Sequence, residues 1–240
     1  MSEPALREYT RRQVFQQTKN QTASEVHAIS LASGFFEGMS SMKDYINLRR
    51  LDLVAMNPRI TTQNLLNDPE VSFKSLKQLN LNDNALVSLP ASFAAVFPAV
   101  RKIELSNNLI GKGLSNQSGS EEQAILDVLG PLTLCNELKV LDLESNPICQ
   151  LGGYREILFR LLPSLQVLDS KNKAGENVDS SDELSSDQQG SSSEEGEEDS
   201  TDDFMEDDEE DDEQTEESSG KEDETEESVD NPVKKMKIQE

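Results

Sequence analysis

Apolar residues recur with a fixed internal spacing along the first part of this chain. Within each unit, Leu, Ile or Val fills the first, fourth, sixth and eleventh positions, and Asn fills the ninth. The pattern is complete three times, at residues 76–86, 100–110 and 138–148. Three further copies are weaker or truncated, and they begin at Val26, Leu48 and Leu165. Such regularity indicates that the chain repeats one small structural unit.

The distance between copies identifies the class of repeat. Successive copies begin 22, 28, 24, 38 and 27 residues apart, and leucine-rich repeats are about 20–29 residues long. We place an insertion between Gly111 and Pro131, inside the longest unit. The predicted fold is an α/β leucine-rich repeat solenoid, a right-handed β-α horseshoe of about five repeats with a cap at each end.

Each unit begins with a short strand whose side chains alternate between two faces. Leu79 and Leu81 are predicted to point into the core, while Gln78 points outward. Stacked strands form a parallel sheet on the concave side, where solenoids commonly bind partners. The outward positions are Val140 and the predicted partner contacts Arg50, Asp52, Gln78, Asn80, Asn82, Lys102, Glu104, Ser106, Asp142 and Glu144. A face that is only solvated is equally compatible with this pattern.

The asparagine of the complete copies is predicted to be structural. Asn84, Asn108 and Asn146 follow the strands, where a side-chain amide can pair backbone groups that a turn leaves unsatisfied. Removing one should cost about 1–3 kcal/mol. The two earliest copies lack the amide, since Gly34 and Met56 occupy its position.

Both ends of an open solenoid need covers, because they would otherwise expose core side chains. A polar helix over residues 3–18 is predicted at the amino end. At the other end, helical spacing predicts a helix that Pro163 terminates. Its apolar stripe comprises Tyr154, Ile157, Leu158, Leu161 and Leu162.

The insertion is predicted to hold another helix. A capping box opens it, formed by Ser118 with Glu121 or by Ser120 with Gln123. Gly130 and Pro131 are predicted to close it.

Charge divides the chain into two domains, a nearly neutral repeat domain over residues 1–170 and an acidic tail over 171–240. Residues 1–173 hold 18 acidic and 18 basic residues, whereas residues 174–240 hold 29 acidic and 4 basic ones. Repulsion and the cost of ordering, about 1–2 kcal/mol per residue, predict a disordered polyanion. The net charge of −25 favours histones or other basic proteins as partners and disfavours nucleic acid and anionic membranes.

The tail contains three candidate sites. The predicted partner-binding segment is Asp202, Asp203, Phe204, Met205, Glu206, Asp207, Asp208, Glu209, Glu210, Asp211, Asp212 and Glu213. Its apolar pair is either an anchor for a partner's pocket or a chance pair among acids. Acid-directed phosphorylation is predicted at Ser180, Ser191, Ser192, Ser200 and Ser219. A short nuclear import signal is predicted at Lys234, Lys235 and Lys237.

Catalytic and metal-binding chemistry is not indicated. His27 is the one histidine of the chain, so neither a Ser-His-Asp triad nor a His-based metal site can be built with ordinary ligands. Cys135 and Cys149 are predicted to be small buried apolar residues. Charges near the amino terminus replace an apolar leader, and no apolar run approaches the roughly 18 residues of a membrane span, so we expect cytosolic synthesis with reduced thiols. No cofactor is predicted.

The cap carries a family resemblance. The characteristic residues of the cap are Tyr154-Arg155-Glu156, Phe159, Leu161-Leu162-Pro163, Leu165 and Leu168-Asp169. A weaker match is the segment NQTASEVHAISL at 20–31. With these motifs the chain resembles the acidic leucine-rich nuclear phosphoprotein family. The same cap occurs in other nuclear leucine-rich repeat proteins, and the acidic tail favours this family. The missing early asparagines, the long insertion and the serine-interrupted tail depart from the family pattern.

The resemblance implies a non-enzymatic, nuclear, monomeric protein that shuttles to the cytoplasm and binds or chaperones histones. Roles in chromatin regulation or apoptosis follow from the same resemblance. Two alternatives stay open, an inhibitor of a protein phosphatase and an adaptor in a ribonucleoprotein that binds through the repeat domain alone.

Overall fold

One short strand from each repeat builds the sheet. In the computed structural model, which describes residues 2–66, 71–114 and 120–178, six strands lie parallel in chain order and a seventh pairs antiparallel after them. The strands are β1 (Ala28–Ala32), β2 (Arg50–Val54), β3 (Gln78–Asn80), β4 (Lys102–Glu104), β5 (Val140–Asp142), β6 (Val167–Leu168) and β7 (Lys171–Asn172). Strands β1 to β6 fall in the six predicted copies, so the leucine-rich repeat fold is confirmed.

The segments between the strands contain short helices. These are α1 (Glu3–Thr18), α2 (Thr62–Leu65), α3 (Phe93–Val96), α4 (Glu121–Leu129) and α5 (Tyr154–Leu161), with 3₁₀ turns at Ala23–Glu25, Met39–Met42, Gly130–Leu134 and Pro147–Gln150. Helices α1 and α5 confirm the predicted covers of the two ends. Across the described ranges, no helix has the length and apolar character needed to cross a bilayer.

The strands of successive repeats pair in the same register. Leu51, Leu79 and Ile103 are aligned across β2, β3 and β4, and Leu141 and Leu168 continue the row. These side chains are at most 1% exposed, as the alternation predicts. Because each row is shared between neighbouring repeats, the core is one continuous apolar cluster.

The repeat asparagines form a ladder that links neighbouring turns. Asn108 is 3% exposed, and its Nδ2 donates to the carbonyl oxygens of Leu81 (2.9 Å) and Leu105 (3.0 Å). Its Oδ1 accepts from the backbone N–H of Leu86 at 3.1 Å. Asn84 and Asn146 make equivalent contacts with the turns before them. The predicted structural role of these amides is confirmed, since each pairs backbone groups of two repeats.

Helix α1 covers the open edge of β1 with polar side chains rather than apolar ones. Gln17 accepts from the backbone N–H of Ser30 at 2.8 Å and donates to its carbonyl at 2.6 Å. Gln13 donates to the carbonyl of Ala32 at 3.2 Å. The two amides therefore occupy hydrogen-bonding sites that a further strand would use.

The first repeat has a glycine at the asparagine position because α1 lies close to it. Thr10 Oγ1 accepts from the backbone N–H of Phe35 at 2.7 Å. A Cβ on Gly34 would lie 2.4 Å from that hydroxyl. The hydroxyl of α1 thus takes over part of the turn's hydrogen bonding, and no larger side chain fits there.

At the carboxyl end, the folded unit continues past the boundary predicted after residue 170. Strand β7 pairs with β6, and the backbone N–H of Val178 donates to Ser170 at 2.9 Å. Arg155 of α5 donates to the carbonyl of Leu168 at 2.7 Å and holds this end of the sheet. All described residues lie in residues 1–191, the first of the two units into which the chain divides.

The insertion contains the predicted helix with a simpler cap. Ser120 accepts from the backbone N–H of Gln123 at 3.2 Å, but the Gln123 amide donates to Asp127 instead of returning to the cap. Ser118, the alternative cap, lies outside the described residues. Gly130 ends α4 with right-handed φ and leads with Pro131 into a 3₁₀ turn, so a left-handed glycine cap does not form at this helix end.

Candidate partner-binding surface

Register gathers the predicted contacts of the repeat domain into rows on one face. Arg50, Gln78 and Lys102 align in a first row that continues to Val140. The second row, two residues further along each strand, comprises Asp52, Asn80, Glu104 and Asp142. Residues that are 24 to 38 positions apart in the repeat pattern therefore lie on adjacent strands, about 4.8 Å apart.

Over β2 to β4 the charges of this face are paired within strands. Arg50 Nε lies 2.9 Å from Asp52 Oδ2, and Lys102 Nζ lies 3.0 Å from Glu104 Oε1. The depression between them holds only about 50 Å³, well below the several hundred Å³ typical of small-molecule sites. This part of the face therefore lacks a cavity of the size that small-molecule ligands usually occupy.

Two outward positions are less accessible than the alternation suggests. Asp52 is 6% exposed and Val140 is 3% exposed. Short side chains on this face lie beside longer ones, and Asp52 accepts from the Arg50 guanidinium while Val140 lies between Lys102 and Val167 in its row. Any contact of a partner with Asp52 would therefore involve Arg50 first.

Three of the predicted contacts also hold the turns in place. Asn80 accepts from the backbone N–H of Asn82 at 2.9 Å, and Asn82 accepts from that of Ser106 at 2.7 Å. Asp142 accepts from the backbone N–H of Glu144 at 3.0 Å. Their replacement would disturb the backbone as well as the surface, so they are poor probes of binding.

The face becomes acidic at its last repeats. Asp169 follows β6 as Asp142 ends β5, and the segments Val140–Asp142 and Val167–Asp169 share the sequence VLD. Sequence analysis missed Asp169 as a surface acid, although this identity could have indicated it. Its Oδ1 accepts from the backbone N–H of Leu143 at 2.8 Å. In the previous repeat, the equivalent N–H of Leu105 donates to the backbone carbonyl of Asp142 instead.

The pKa of Asp169 is raised to about 6, mainly by burial and also by the nearby carboxylates of Asp142 and Glu144, while the Leu143 hydrogen bond and the Lys171 charge lower it. Asp169 lies 3.9 Å from the Arg155 guanidinium. Three carboxylates therefore lie close together in this part of the face.

Residues considered for chemistry lie apart from one another. His27 is exposed, and its Nδ1 lies 3.1 Å from the carbonyl of Asn47. Cys135 is buried, and burial raises its pKa to about 11; Cys149 is half-buried and both thiols are free. Among residues 2–66, 71–114 and 120–178, no group of three or more His, Cys, Asp or Glu side chains could hold a metal ion.

The remaining predicted sites fall outside the described residues. They are the acidic segment 202–213, the candidate phosphorylation sites Ser180, Ser191, Ser192, Ser200 and Ser219, and the import signal Lys234, Lys235 and Lys237.

Fold and face together define a leucine-rich repeat protein whose sheet supplies the candidate surface. No family model matches the chain. It is 34% identical over 135 residues to acidic leucine-rich nuclear phosphoprotein 32 family member A of Drosophila melanogaster, a match over 52% of this chain and 49% of that protein. The resemblance to this family is confirmed over that segment, and the chain spans about half the length of this curated relative.

Two further similarities concern the repeats. The chain is 33% identical over 113 residues to a Tetrahymena thermophila protein that is named as a histone, over 43% of this chain and 29% of that protein. The solved leucine-rich repeat domain of Mex67 from Chaetomium thermophilum is 20% identical to this chain, with a TM-score of 0.38. The match covers 77% of this chain and 99% of that domain.

Proposed function

We propose that this is a non-enzymatic, nuclear histone-binding protein of the histone-chaperone type. The charge distribution carries the proposal, because residues 174–240 hold 29 acidic and 4 basic residues while residues 1–173 hold 18 of each. Core histones are strongly basic proteins, and a dense run of acidic residues attracts such partners over a long range and shields their charge.

The acidic tail and the repeat domain contribute different parts of the binding. Attraction by charge alone is screened beyond about 8 Å at physiological salt. Phe204 and Met205 lie between acids, and an aromatic anchor in an apolar pocket adds affinity that salt does not remove. The acids Asp142 and Glu144 at the end of the concave face add a surface on a rigid scaffold.

Nuclear location and phosphorylation are part of the proposal. The Drosophila relative is named a nuclear phosphoprotein, and this chain has the basic motif Lys234, Lys235 and Lys237 with serines among its acids. The similarity to a segment of a protein named as a histone also supports a chromatin setting. Each phosphate would add about −1.5 to −2 charges to the tail.

The test is a pull-down of purified core histones by the full-length protein over a salt series. One variant replaces the acids of 202–213 by Asn and Gln, and a second carries Phe204→Ala with Met205→Ala. We expect the first to lose most binding at physiological salt, about 0.15 M. We expect the second to lose mainly the binding that persists at higher salt, because the apolar contribution is insensitive to screening.

A matched control neutralises the same number of acids elsewhere in the tail. A smaller loss in this control assigns the binding to segment 202–213, whereas an equal loss shows that only total charge matters. If the unmodified protein binds no histone, the proposal fails, and phosphatase inhibition is the function to assay next. Partner binding that survives complete neutralisation of the tail would favour the adaptor role.

A further inference from the structure

Residues 1–173 are neutral in total, but their charges are separated in space. The residue that precedes each strand is basic in five successive repeats: His27, Arg49, Lys77, Arg101 and Lys139. We call the last four of these residues the basic edge. Backbone hydrogen bonds align these residues. The backbone N–H of Lys77 donates to the carbonyl oxygen of Arg49 at 2.8 Å, and Arg101 and Lys139 donate in the same way, at the same distance, to the carbonyl oxygens of Lys77 and Arg101.

The basic edge lies at the amino ends of the parallel strands. Neighbouring strands are about 4.8 Å apart, so the four side chains of β2 to β5 form a row about 14 Å long. Arg49 is exposed, while Lys77, Arg101 and Lys139 are half-buried. The carboxylates Asp142, Glu144 and Asp169 lie at the opposite, carboxyl ends of the strands. The sheet is therefore basic along one edge and acidic at part of the other.

The carboxylate of Glu137 contacts two residues of the basic edge. Glu137 Oε2 lies 2.9 Å from Arg101 Nε and 3.1 Å from Lys77 Nζ. Hydrogen bonds from Arg101 and then Lys77 hold the pKa of the Glu137 carboxyl below its ordinary value. Glu137 therefore shows the carboxylate geometry that two of these side chains, Arg101 and Lys77, accept.

We propose that the basic edge binds an extended acidic segment of a partner polypeptide, at a site separate from the histone-binding surfaces. A narrow chain of carboxylates can follow a row of cations that is one residue wide. A broad polyanion such as a nucleic acid would also extend over the neighbouring face, where Arg50 and Lys102 are already paired with Asp52 and Glu104. The large aromatic side chains that are exposed in the described ranges, Tyr9 and Phe15, belong to α1, so bases would find no stacking platform at this edge.

The test measures fluorescence anisotropy of a labelled oligoglutamate peptide, long enough to span about 14 Å, with the full-length protein. The variant Arg49→Glu with Lys139→Glu reverses both ends of the row. It should weaken binding about tenfold or more, since each exposed ion pair contributes up to about 1 kcal/mol and reversal adds repulsion. The matched control is Lys43→Glu with Lys112→Glu, two exposed lysines away from the strand starts, and it should change binding less than about twofold.

A second variant raises the charge of the edge. Glu137→Gln removes the internal carboxylate and should strengthen peptide binding about threefold, which a misfolded protein could not do. Absence of binding by the unmodified protein, an equal loss in the control, or no gain with Glu137→Gln would each overturn the proposal. So would an oligodeoxythymidine that binds more tightly through Arg49 and Lys139, since the partner would then be a nucleic acid.

Discussion

Single side chains decide how each turn of the solenoid closes. The residue before the asparagine position has positive φ in five successive repeats, and it is Ser33, Ala55, Asp83, Asn107 or Ser145. Asn and Asp tolerate this left-handed conformation better than most residues. The turn signal was visible in the sequence only as the asparagine that follows, because the left-handed position accepts several residue types.

Replacing a ladder asparagine should be costly. We expect Asn108→Ala to lower the free energy of unfolding by about 1–3 kcal/mol, because two carbonyls and one backbone N–H would stay buried without their partner. Urea denaturation followed by circular dichroism measures the change. The control Asn136→Ala alters an exposed amide and should change stability by less than about 0.5 kcal/mol. Equal effects of both would show that the ladder does not stabilise the fold.

Asp169 should make stability depend on pH. Its folded-state pKa of about 6 exceeds the ordinary value of 3.8, so between these values the folded state binds a proton that the unfolded state releases. Stability therefore falls as pH rises from about 4 to 6 and stays lower above that range.

The variant Asp169→Asn should keep the Leu143 hydrogen bond and remove the charge. We expect it to be more stable than the unmodified protein by about 1 kcal/mol above pH 7, because solvent still screens part of the buried charge, and by nearly nothing at pH 4. Denaturant midpoints at the two pH values measure this difference. A gain that is the same at both pH values would show that the charge has no part in it.

At the scale of elements, the two covers of the sheet use different chemistry. Helix α5 covers its end with buried apolar side chains, among them Ile157 and Leu158. Helix α1 buries Leu6 alone and relies on hydrogen bonds to the edge of β1. Both helices were predicted, α5 from its apolar periodicity and α1 from the need to cover an open end. Only the structure shows that α1 caps a strand edge with glutamine side chains.

The contribution of Gln17 can be separated from that of helix α1 as a whole. We expect Gln17→Ala to reduce stability by about 1 kcal/mol and to speed hydrogen exchange of the Ser30 amide, whose acceptor it removes. The control Gln16→Ala changes an exposed neighbour in the same helix and tests helix propensity alone. Unchanged exchange at Ser30 in the Gln17 variant would contradict the role of this amide.

At the scale of the whole molecule, total charge conceals an arrangement that matters for binding. The charges of residues 1–173 sum to zero, yet several cations line the starts of the strands and several anions lie at the ends of the last strands. The two binding experiments therefore address surfaces of opposite sign. Variants at Arg49 and Lys139 should affect the acidic peptide and leave histone binding unchanged.

The sequence by itself determined the repeat, its strand positions, its inward side chains and the two covering helices. These features depend on local spacing, which the period of a strand or helix translates directly into a face. It also indicated the family resemblance, through the cap around Tyr154 and Pro163.

Only the tertiary structure decided which distant residues meet. The register between repeats of unequal length, 22 to 38 residues, places Arg49, Lys77, Arg101 and Lys139 in one row and buries Asp52 beside Arg50. Hydrogen bonding between strands sets that register, and it depends on how each intervening segment packs. Burial then sets the pKa of Asp169, since the cost of a charge depends on the surroundings that the folded chain supplies.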